Sequence, residues 1–292
     1  MRIDPETRDL VRRALREDLG RRGDLTTLRF LPPARSYSAR IVAKAEGILC
    51  GRALADEVFR RACPSARLRW RFRDGNRIRR GDVLCRIRGP RGILTAERTA
   101  LNFLQHLSGI ATLTDRYAAR VRGTRARVYD TRKTLPGWRA LAKYAVRTGG
   151  GRNHRMGLHD MVLLKDNHLT GWGLEGPGDP GIPSPAVVRR LRAFRRRHPR
   201  VPVEIEARDA AEVRLALALG ADLILLDNMP RAVLRRNIRF IRERSPKTRV
   251  EVSGGVDLRS VTALARLGPD RISVGRLTHS APALDLSLKL DP

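Results

Sequence analysis

The sequence predicts an α/β protein in two parts, an α+β domain followed by a repeating βα unit. Three observations carry this. Up to about residue 110, strand-like runs lie among helices and are punctuated by the turn signals Asp74-Gly75 and Gly81-Asp82. Beyond that point short apolar runs alternate with amphipathic helices, and the strand centres at 204, 224, 251 and 273 step by 20, 27 and 22 residues. That spacing belongs to a parallel barrel or a doubly wound sheet. The chain, 292 residues with 41% hydrophobic content, is long enough to bury a large core in one or two domains.

Taken in order, a helix is expected over about 5–19, ended by Gly20, and then a turn-rich piece, GRRGDLTT. Strand-like runs follow at 36–51, 66–75 and 82–89, interrupted by a helix at about 53–62. A longer helix is expected at about 95–107, capped by Thr95 or the preceding turn. In the second part the strands are 126–130, 161–164, 201–206, 223–227, 250–253 and 272–275. Helices are expected between the later ones, at about 185–197, 209–219, 230–244 and 258–267. The Gly/Pro-rich segment 170–185 reads as a loop.

Composition excludes several classes. No apolar run approaches the ~20 residues that span a bilayer. The N-terminal stretch is polar and lacks the apolar core of a signal peptide, so the cytoplasm is the expected location. Cys50, Cys63 and Cys85 are odd in number and show no CxxC spacing, which favours reduced thiols over a disulfide framework or a zinc site. A formal charge of +30 would ordinarily point to nucleic acid. Yet Lys occupies only six positions (44, 133, 143, 165, 247, 289), so 54 of the 60 basic residues are Arg. Such a skew reads as codon bias on a solvated surface. The dense cluster RRLRAFRRRHPR keeps Val188, Leu191 and Phe194 at helical spacing, as an exposed helix face does.

Chemistry concentrates at the strand ends. Each predicted strand closes on polar or small residues: Thr131-Arg132-Lys133, Lys165, Glu206, Asp227-Asn228, Ser253-Gly254-Gly255 and Gly275. In a β/α barrel these ends converge on one mouth, where sites sit. Residues 130–168 add Arg152, His154, Arg155 and His168 around Pro136-Gly137 and Gly149-Gly150-Gly151. Cations held on stiff turns suit a small, multiply charged anion. Glu206 and Asp227 suit Mg²⁺ bound together with a substrate phosphate, or a developing positive charge. Ser253-Gly254-Gly255 before a helix offers amides to a phosphate, paired with Gly275 on the next strand.

These motifs resemble the quinolinate phosphoribosyltransferases, also called carboxylating nicotinate-nucleotide pyrophosphorylases. The likeness runs nearly end to end, through EDLGRRGDLTT, AERTALNFLQHLSGIATLT, DTRKTLPGWR, GGGRNHRMGLHD, LLKDNH, VEIEA, LLDNM, VSGGV and SVGRLTHSAPALDLSLKL. The resemblance implies an N-terminal α/β sandwich over 1–110, with 277–292 packing back on it, and an incomplete (β/α) TIM-like barrel over 111–276. It implies transfer of phosphoribosyl from phosphoribosyl pyrophosphate (PRPP) to quinolinate with Mg²⁺ and no organic cofactor. The products would be nicotinate mononucleotide, pyrophosphate and carbon dioxide, in NAD biosynthesis.

Matching positions imply that Arg132, His154, Arg155 and Lys165 bind the quinolinate carboxylates, with Arg98 supplied by a partner subunit. Lys133 and Lys165 would also serve PRPP. Glu206 and Asp227 would lie by the ribose and metal, and Ser253, Gly254, Gly255 and Gly275 would hold the 5′-phosphate with His279 nearby. A homodimer is therefore expected, with a hexamer as a larger alternative, and no membrane or nucleic-acid partner. Two other functions compete: a related phosphoribosyltransferase of another acid, such as the molybdenum-linked paralogues, and a nucleic-acid-binding protein on an inactive barrel. The full cation set argues against the first, and the intact Glu206, Asp227 and SGG against the second. Arg152 reads as a surface residue, and His106, His159, Trp138 and Trp172 as structural. His168 is expected to orient Lys165 or close its strand, and Asn102 and Gln105 to face a subunit contact. Asp24 and Thr26 match a signature with no evident chemistry.

Overall fold

The computed structural model describes residues 3–33, 35–171 and 185–291. Along the chain the elements begin with α1 (Pro5–Leu19), α2 (Leu25–Phe30), β1 (Tyr37–Ala43), β2 (Gly47–Ile48), α3 (Arg52–Ala62), β3 (Arg67–Trp70), β4 (Arg77–Ile78), β5 (Val83–Gly89) and α4 (Gly92–Arg120). Next come β6 (Arg127–Tyr129), α5 (Arg139–Thr148), β7 (Val162–Leu164), α6 (Asp166–Gly171), α7 (Pro185–Arg197), β8 (Val203–Ala207) and α8 (Ala210–Ala218). The last are β9 (Leu223–Asp227), α9 (Arg231–Arg244), β10 (Arg249–Ser253), α10 (Val261–Ala265), β11 (Arg271–Ser273), α11 (Arg276–His279) and β12 (Leu286–Leu290). Residues 172–184, most of the predicted Gly/Pro-rich loop and its Trp172, lie outside the described residues.

The chain divides into two compact units. The first comprises Met1–Asp115, Thr134–Gly150 and Arg276–Pro292. Its main sheet has the order β12-β1-β5-β3, all antiparallel. On β1 the period-two alternation buries Tyr37, Ala39, Ile41 and Ala43. Phe59 of α3, Leu84 of β5 and Phe103 and Leu104 of α4 complete a core with almost no exposed surface.

Four differences from the sequence reading have local causes. The strand predicted at 36–51 breaks at Lys44 into β1 and β2. The piece predicted as turns becomes helical at Leu25, because the Asp24 carboxylate caps the Thr27 amide at 2.8 Å. The helix predicted at 95–107 runs on to Arg120 through Gly109. There a side chain is sterically excluded, since a Cβ on Gly109 would lie 2.1 Å from the Pro282 carbonyl oxygen. The absent side chain thus admits a neighbouring backbone, and the helix is not interrupted. Helix α5 had no predicted counterpart, although Leu141, Ala142, Ala145 and Val146 recur at helical spacing and are buried.

The second unit, Arg116–Lys133 and Gly151–Gly275, holds a parallel sheet of order β6-β11-β10-β9-β8-β7. From β7 to β11 successive strands pair in chain order. A doubly wound sheet would reverse direction at a switch point, so this winding belongs to a barrel. Among the described residues β6 and β7 do not pair, which leaves the barrel incomplete. The backbone of Arg152 partly lines the open edge, bridging to Tyr129 and exchanging hydrogen bonds with Val128 and Asp130. Its side chain is exposed. Burial on both faces explains the continuous apolar run Leu223–Leu226 in β9.

Candidate active site

Parallel strands deliver their C-terminal residues to one end of the sheet, and here those residues are the charged ones. Lys165 follows β7, Glu206 is next to last in β8, Asp227 ends β9 and Ser253 ends β10. Asp227 and Ser253 are direct partners in the β9–β10 ladder. The Lys165 ammonium donates to Glu206 Oε2 at 3.0 Å. The Lys165 amide donates to His168 Nδ1 at 3.0 Å, so His168 holds the backbone where the strand turns into α6.

Two guanidiniums gather beside this row. Arg132 is half-buried and its Nε is enclosed without a hydrogen-bond partner. Arg155 donates from Nη1 to the Met161 carbonyl at 3.0 Å. Burial and the positive charge of Arg132 both push the Arg155 pKa below its ordinary value. Among the described residues neither Arg forms an ion pair. Lys133 is exposed, with its amide turned onto Thr131 Oγ1 at 3.0 Å.

The loop carrying Arg155 is anchored from below. Asp130, fully buried, accepts the His154 amide at 2.8 Å. The His154 side chain is only 7% exposed and turns into the sheet interior. Its Nε2 lies 3.1 Å from Glu204 Oε2 and 3.4 Å from Glu251 Oε1, and its Nδ1 accepts the Arg155 amide at 2.8 Å. Glu251 also accepts from Ser273 and lies 3.8 Å from Arg271. Burial, and then the Glu251 charge, lift the Glu204 carboxyl to about 7. Burial raises Glu251 as well, but His154, Ser273 and Arg271 bring it below its ordinary value. Burial also works against an imidazolium, and the two carboxylates outweigh it, drawing the His154 pKa up to about 9. The Arg155 amide opposes this, because a proton on Nδ1 would set two donors against each other. The amide geometry decides for a neutral ring carrying its proton on Nε2.

The glycine turn has its own constraint. Gly254 and Gly255 have φ of 94° and 58°, and Asn228, at φ 52°, donates from its side chain to Asp227 Oδ2 at 2.6 Å. The helix predicted from Leu258 begins only at Val261, because Asp257 first holds the amides of Arg259 and Ser260. Gly275 follows β11 two residues on.

The remaining predicted residues lie in the first unit. Arg98 is exposed on α4, and His279 closes α11 with its Nδ1 against the Ser280 hydroxyl at 2.5 Å. Gln105 donates to the Leu286 carbonyl at 2.9 Å. Trp138 stacks on Phe103 at 5.1 Å and meets the edge of His106 at 5.2 Å, so both Trp138 and His106 pack. Asp24 caps α2 and accepts the Thr95 hydroxyl at 2.9 Å, which gives that signature a structural role. Sequence reasoning named Asn228 only as a strand-end residue and missed Asp130, Glu204 and Glu251. Asp130 and Glu204 stand inside the quoted motifs and Glu251 directly before VSGGV, each two residues from a predicted site residue.

Comparison with known proteins bears on both units. Residues 24–108 match the family description "Quinolinate phosphoribosyl transferase, N-terminal domain", and residues 110–289 match its C-terminal domain. A curated relative, the nicotinate-nucleotide pyrophosphorylase [carboxylating] of Mycobacterium leprae, is 43% identical over 97% of this chain and 96% of its own. A mitochondrial quinolinate phosphoribosyltransferase [decarboxylating] of Nicotiana tabacum is 36% identical over 98% of this chain and 82% of its own. The solved nicotinate-nucleotide pyrophosphorylase of Francisella tularensis superposes with a TM-score of 0.87 at 34% identity, covering 99% and 98% of the two chains.

Proposed function

The chain belongs to the quinolinate phosphoribosyltransferase family, and from that premise we propose how its residues divide the work of that reaction. It transfers phosphoribosyl from PRPP to quinolinate with decarboxylation, giving nicotinate mononucleotide, pyrophosphate and carbon dioxide for NAD biosynthesis. The observation that carries the residue assignment is the pair Arg132 and Arg155: the Arg132 charge helps to lower the Arg155 pKa, and neither guanidinium forms an ion pair among the described residues, which leaves a gap in charge pairing. Quinolinate is a dianion with adjacent carboxylates, and planar guanidinium forks bind such groups bidentately. Filling that gap turns a like-charge repulsion into two charge-assisted contacts.

Lys165 then bridges the acid and the ribosyl donor, and Glu206 orients its ammonium at 3.0 Å. Lys133, with the amides of Ser253, Gly254, Gly255 and Gly275, takes the donor phosphates, His279 assisting. The pyridine nitrogen attacks C1′ as the C1′–O bond to pyrophosphate breaks. Glu206 and Asp227 stabilise positive charge at the ribosyl centre, so catalysis is positioning and electrostatics. Loss of the 2-carboxylate as carbon dioxide leaves its electron pair on C2, stabilised by the adjacent cationic ring nitrogen until a proton from water adds there.

Glu206 and Asp227 also fit Mg²⁺. They offer hard oxygen donors on adjacent strands, with Glu206 Oε1 and Asp227 Oδ1 outside the bonds to Lys165 and Asn228. When bound with the pyrophosphate of PRPP, the ion would neutralise the leaving group's charge. No organic cofactor is required by this chemistry.

The reading includes a homodimer whose partner subunit contributes Arg98 to each site. It also includes a cytoplasmic location, supported by three free, buried cysteines. Among the described residues no helix is long and apolar enough to cross a membrane. Incubating pure protein with PRPP, Mg²⁺ and either quinolinate or nicotinate tests the reading. Mononucleotide and carbon dioxide should appear together from quinolinate only. Equal turnover of nicotinate, without carbon dioxide, would overturn it.

A further inference from the structure

Beneath the strand-end residues the second unit encloses a second polar layer. Glu204 sits two residues before Glu206 on β8, and therefore points to the same face one layer deeper. Glu251 occupies the same relation to Ser253 on β10. Both glutamates have 0% exposure. Neither Glu204 oxygen has an aligned hydrogen bond among the described residues. Burying two carboxylates is costly unless something in the cluster uses them.

What they meet is one edge of His154. Nε2 lies between them, at 3.1 Å and 3.4 Å. The opposite edge is occupied as well, since Nδ1 accepts the Arg155 amide at 2.8 Å. Three ligand atoms within 4.8 Å of one another would ordinarily suggest a metal. The Arg155 amide argues otherwise: with its lone pair used at Nδ1, the neutral ring carries its proton on Nε2, where it blocks coordination. Arg271, 3.8 Å from Glu251 and stacked 4.7 Å over the Tyr129 ring, already supplies a cation.

We propose that Glu204 and Glu251 are positioning residues for acid binding: their carboxylates flank Nε2 and favour a neutral His154 with its proton on that side, so that Nδ1 anchors the backbone of Arg155. This rests on the reading of Arg155 as a carboxylate ligand. His154 is then a strut that fixes where the guanidinium starts, in place of a further cation in the mouth. Outer partners that orient metal-ligating histidines change affinity by about 10- to 100-fold, and an effect of the same order is expected here.

Two measurements test it. In the full-length protein labelled with ¹⁵N-histidine, the His154 ring nitrogens near neutral pH should report the neutral Nε2–H tautomer. An imidazolium or an Nδ1–H tautomer overturns the proposal, and this readout is independent of activity. Kinetically, Glu204→Ala should raise the quinolinate KM about 10-fold and leave the PRPP KM unchanged, while Glu204→Gln, which keeps an acceptor, restores it to within about twofold. Equal loss in both variants, or an equal rise in both KM values, overturns it. Should the alanine variant fail to fold, the ¹⁵N spectrum and the glutamine variant decide. Failure of the wild-type protein to turn over quinolinate would instead strike the functional reading, with the tautomer still measurable.

Discussion

Gly254 and Asn228 compete for one small volume. A Cβ on Gly254 would lie 2.2 Å from Asn228 Oδ1 and 2.7 Å from its backbone nitrogen. Asn228 is the one non-glycine with positive φ among the described residues, and its side chain holds Asp227 Oδ2 at 2.6 Å. Backbone strain of this sort costs about 1–3 kcal/mol and persists where surrounding contacts over-determine it. Here the contacts are the glycine turn on one side and the Asp227 carboxylate on the other. The left-handed turn of Asn228 is therefore a device that fixes Asp227.

The first prediction follows from that competition. Gly254→Ala should displace Asn228, release Asp227 and lower kcat/KM for PRPP by about 100-fold or more, as for loss of an oriented charge. Quinolinate binding, measured by titration, should change little. A Gly254→Ala enzyme with ordinary PRPP kinetics would sink the account.

A second prediction concerns the paired guanidiniums. Arg132→Ala and Arg155→Ala each remove a charge-assisted contact worth about 1.5–3 kcal/mol, or roughly 10- to 150-fold in quinolinate KM. The PRPP KM should hold within about twofold. Arg155→Lys should recover little, because the fork that reaches both the acid and the Met161 carbonyl is lost. Parallel rises in both KM values would remove these residues from the carboxylate pocket.

What was legible in the sequence follows from how each residue declares itself. Lys165 and Asp227 could be placed at strand ends because each follows an apolar run and differs in type from it, and Glu206 and Ser253 because each closes a short strand-like alternation. The choice between barrel and doubly wound sheet was not legible, because strand spacing is similar in both and only pairing order separates them. Glu204 and Glu251 were hidden because a carboxylate inside a short strand looks like a solvent-facing position of an alternating pattern. His154 stood among cations in the sequence and read as one of them, whereas its ring turns inward. Asp24 was conspicuous as a signature, yet its role became visible only when Thr27 and Thr95 were found on its two oxygens.

Asp24 supplies a third prediction. Burial raises its pKa, but the bonds from Thr27 and Thr95 outweigh that and set it below the ordinary range. Asp24→Ala should cost about 1 kcal/mol through the lost cap. Tm should drop by about 2–4 °C with both KM values unchanged. A KM effect would mean that the signature touches substrate.

The interior cluster yields a fourth, through pH. Glu204 stands at about 7 in the fold against an ordinary 4.5. A raised folded-state value means that the folded protein binds the proton more tightly than the unfolded chain. That stability is fully present below about 4.5 and is lost as pH climbs through about 7. Tm should therefore fall between these limits, and Glu204→Gln, which keeps the neutral shape, should flatten the fall. An identical pH profile in the variant would show that the cluster does not hold the proton on Glu204.

The last prediction concerns the subunit boundary of the site. Arg98 is exposed on α4 and forms no ion pair among the described residues, while Lys165 is tied to Glu206. If each site combines its own Lys165 with Arg98 of the partner subunit, Arg98→Ala and Lys165→Ala should each abolish activity alone. Mixed and allowed to exchange subunits, they should recover about a quarter of wild-type activity. Random pairing makes half the dimers mixed, and each mixed dimer has one intact site and one doubly damaged site. If Arg98 instead served its own subunit's site, every site in every mixed dimer would carry one lesion, and no activity would return. Recovery should also depend on time and concentration, as subunit exchange does. Inactivity at all mixing ratios, with exchange demonstrated by native mass measurement, would assign Arg98 to its own chain.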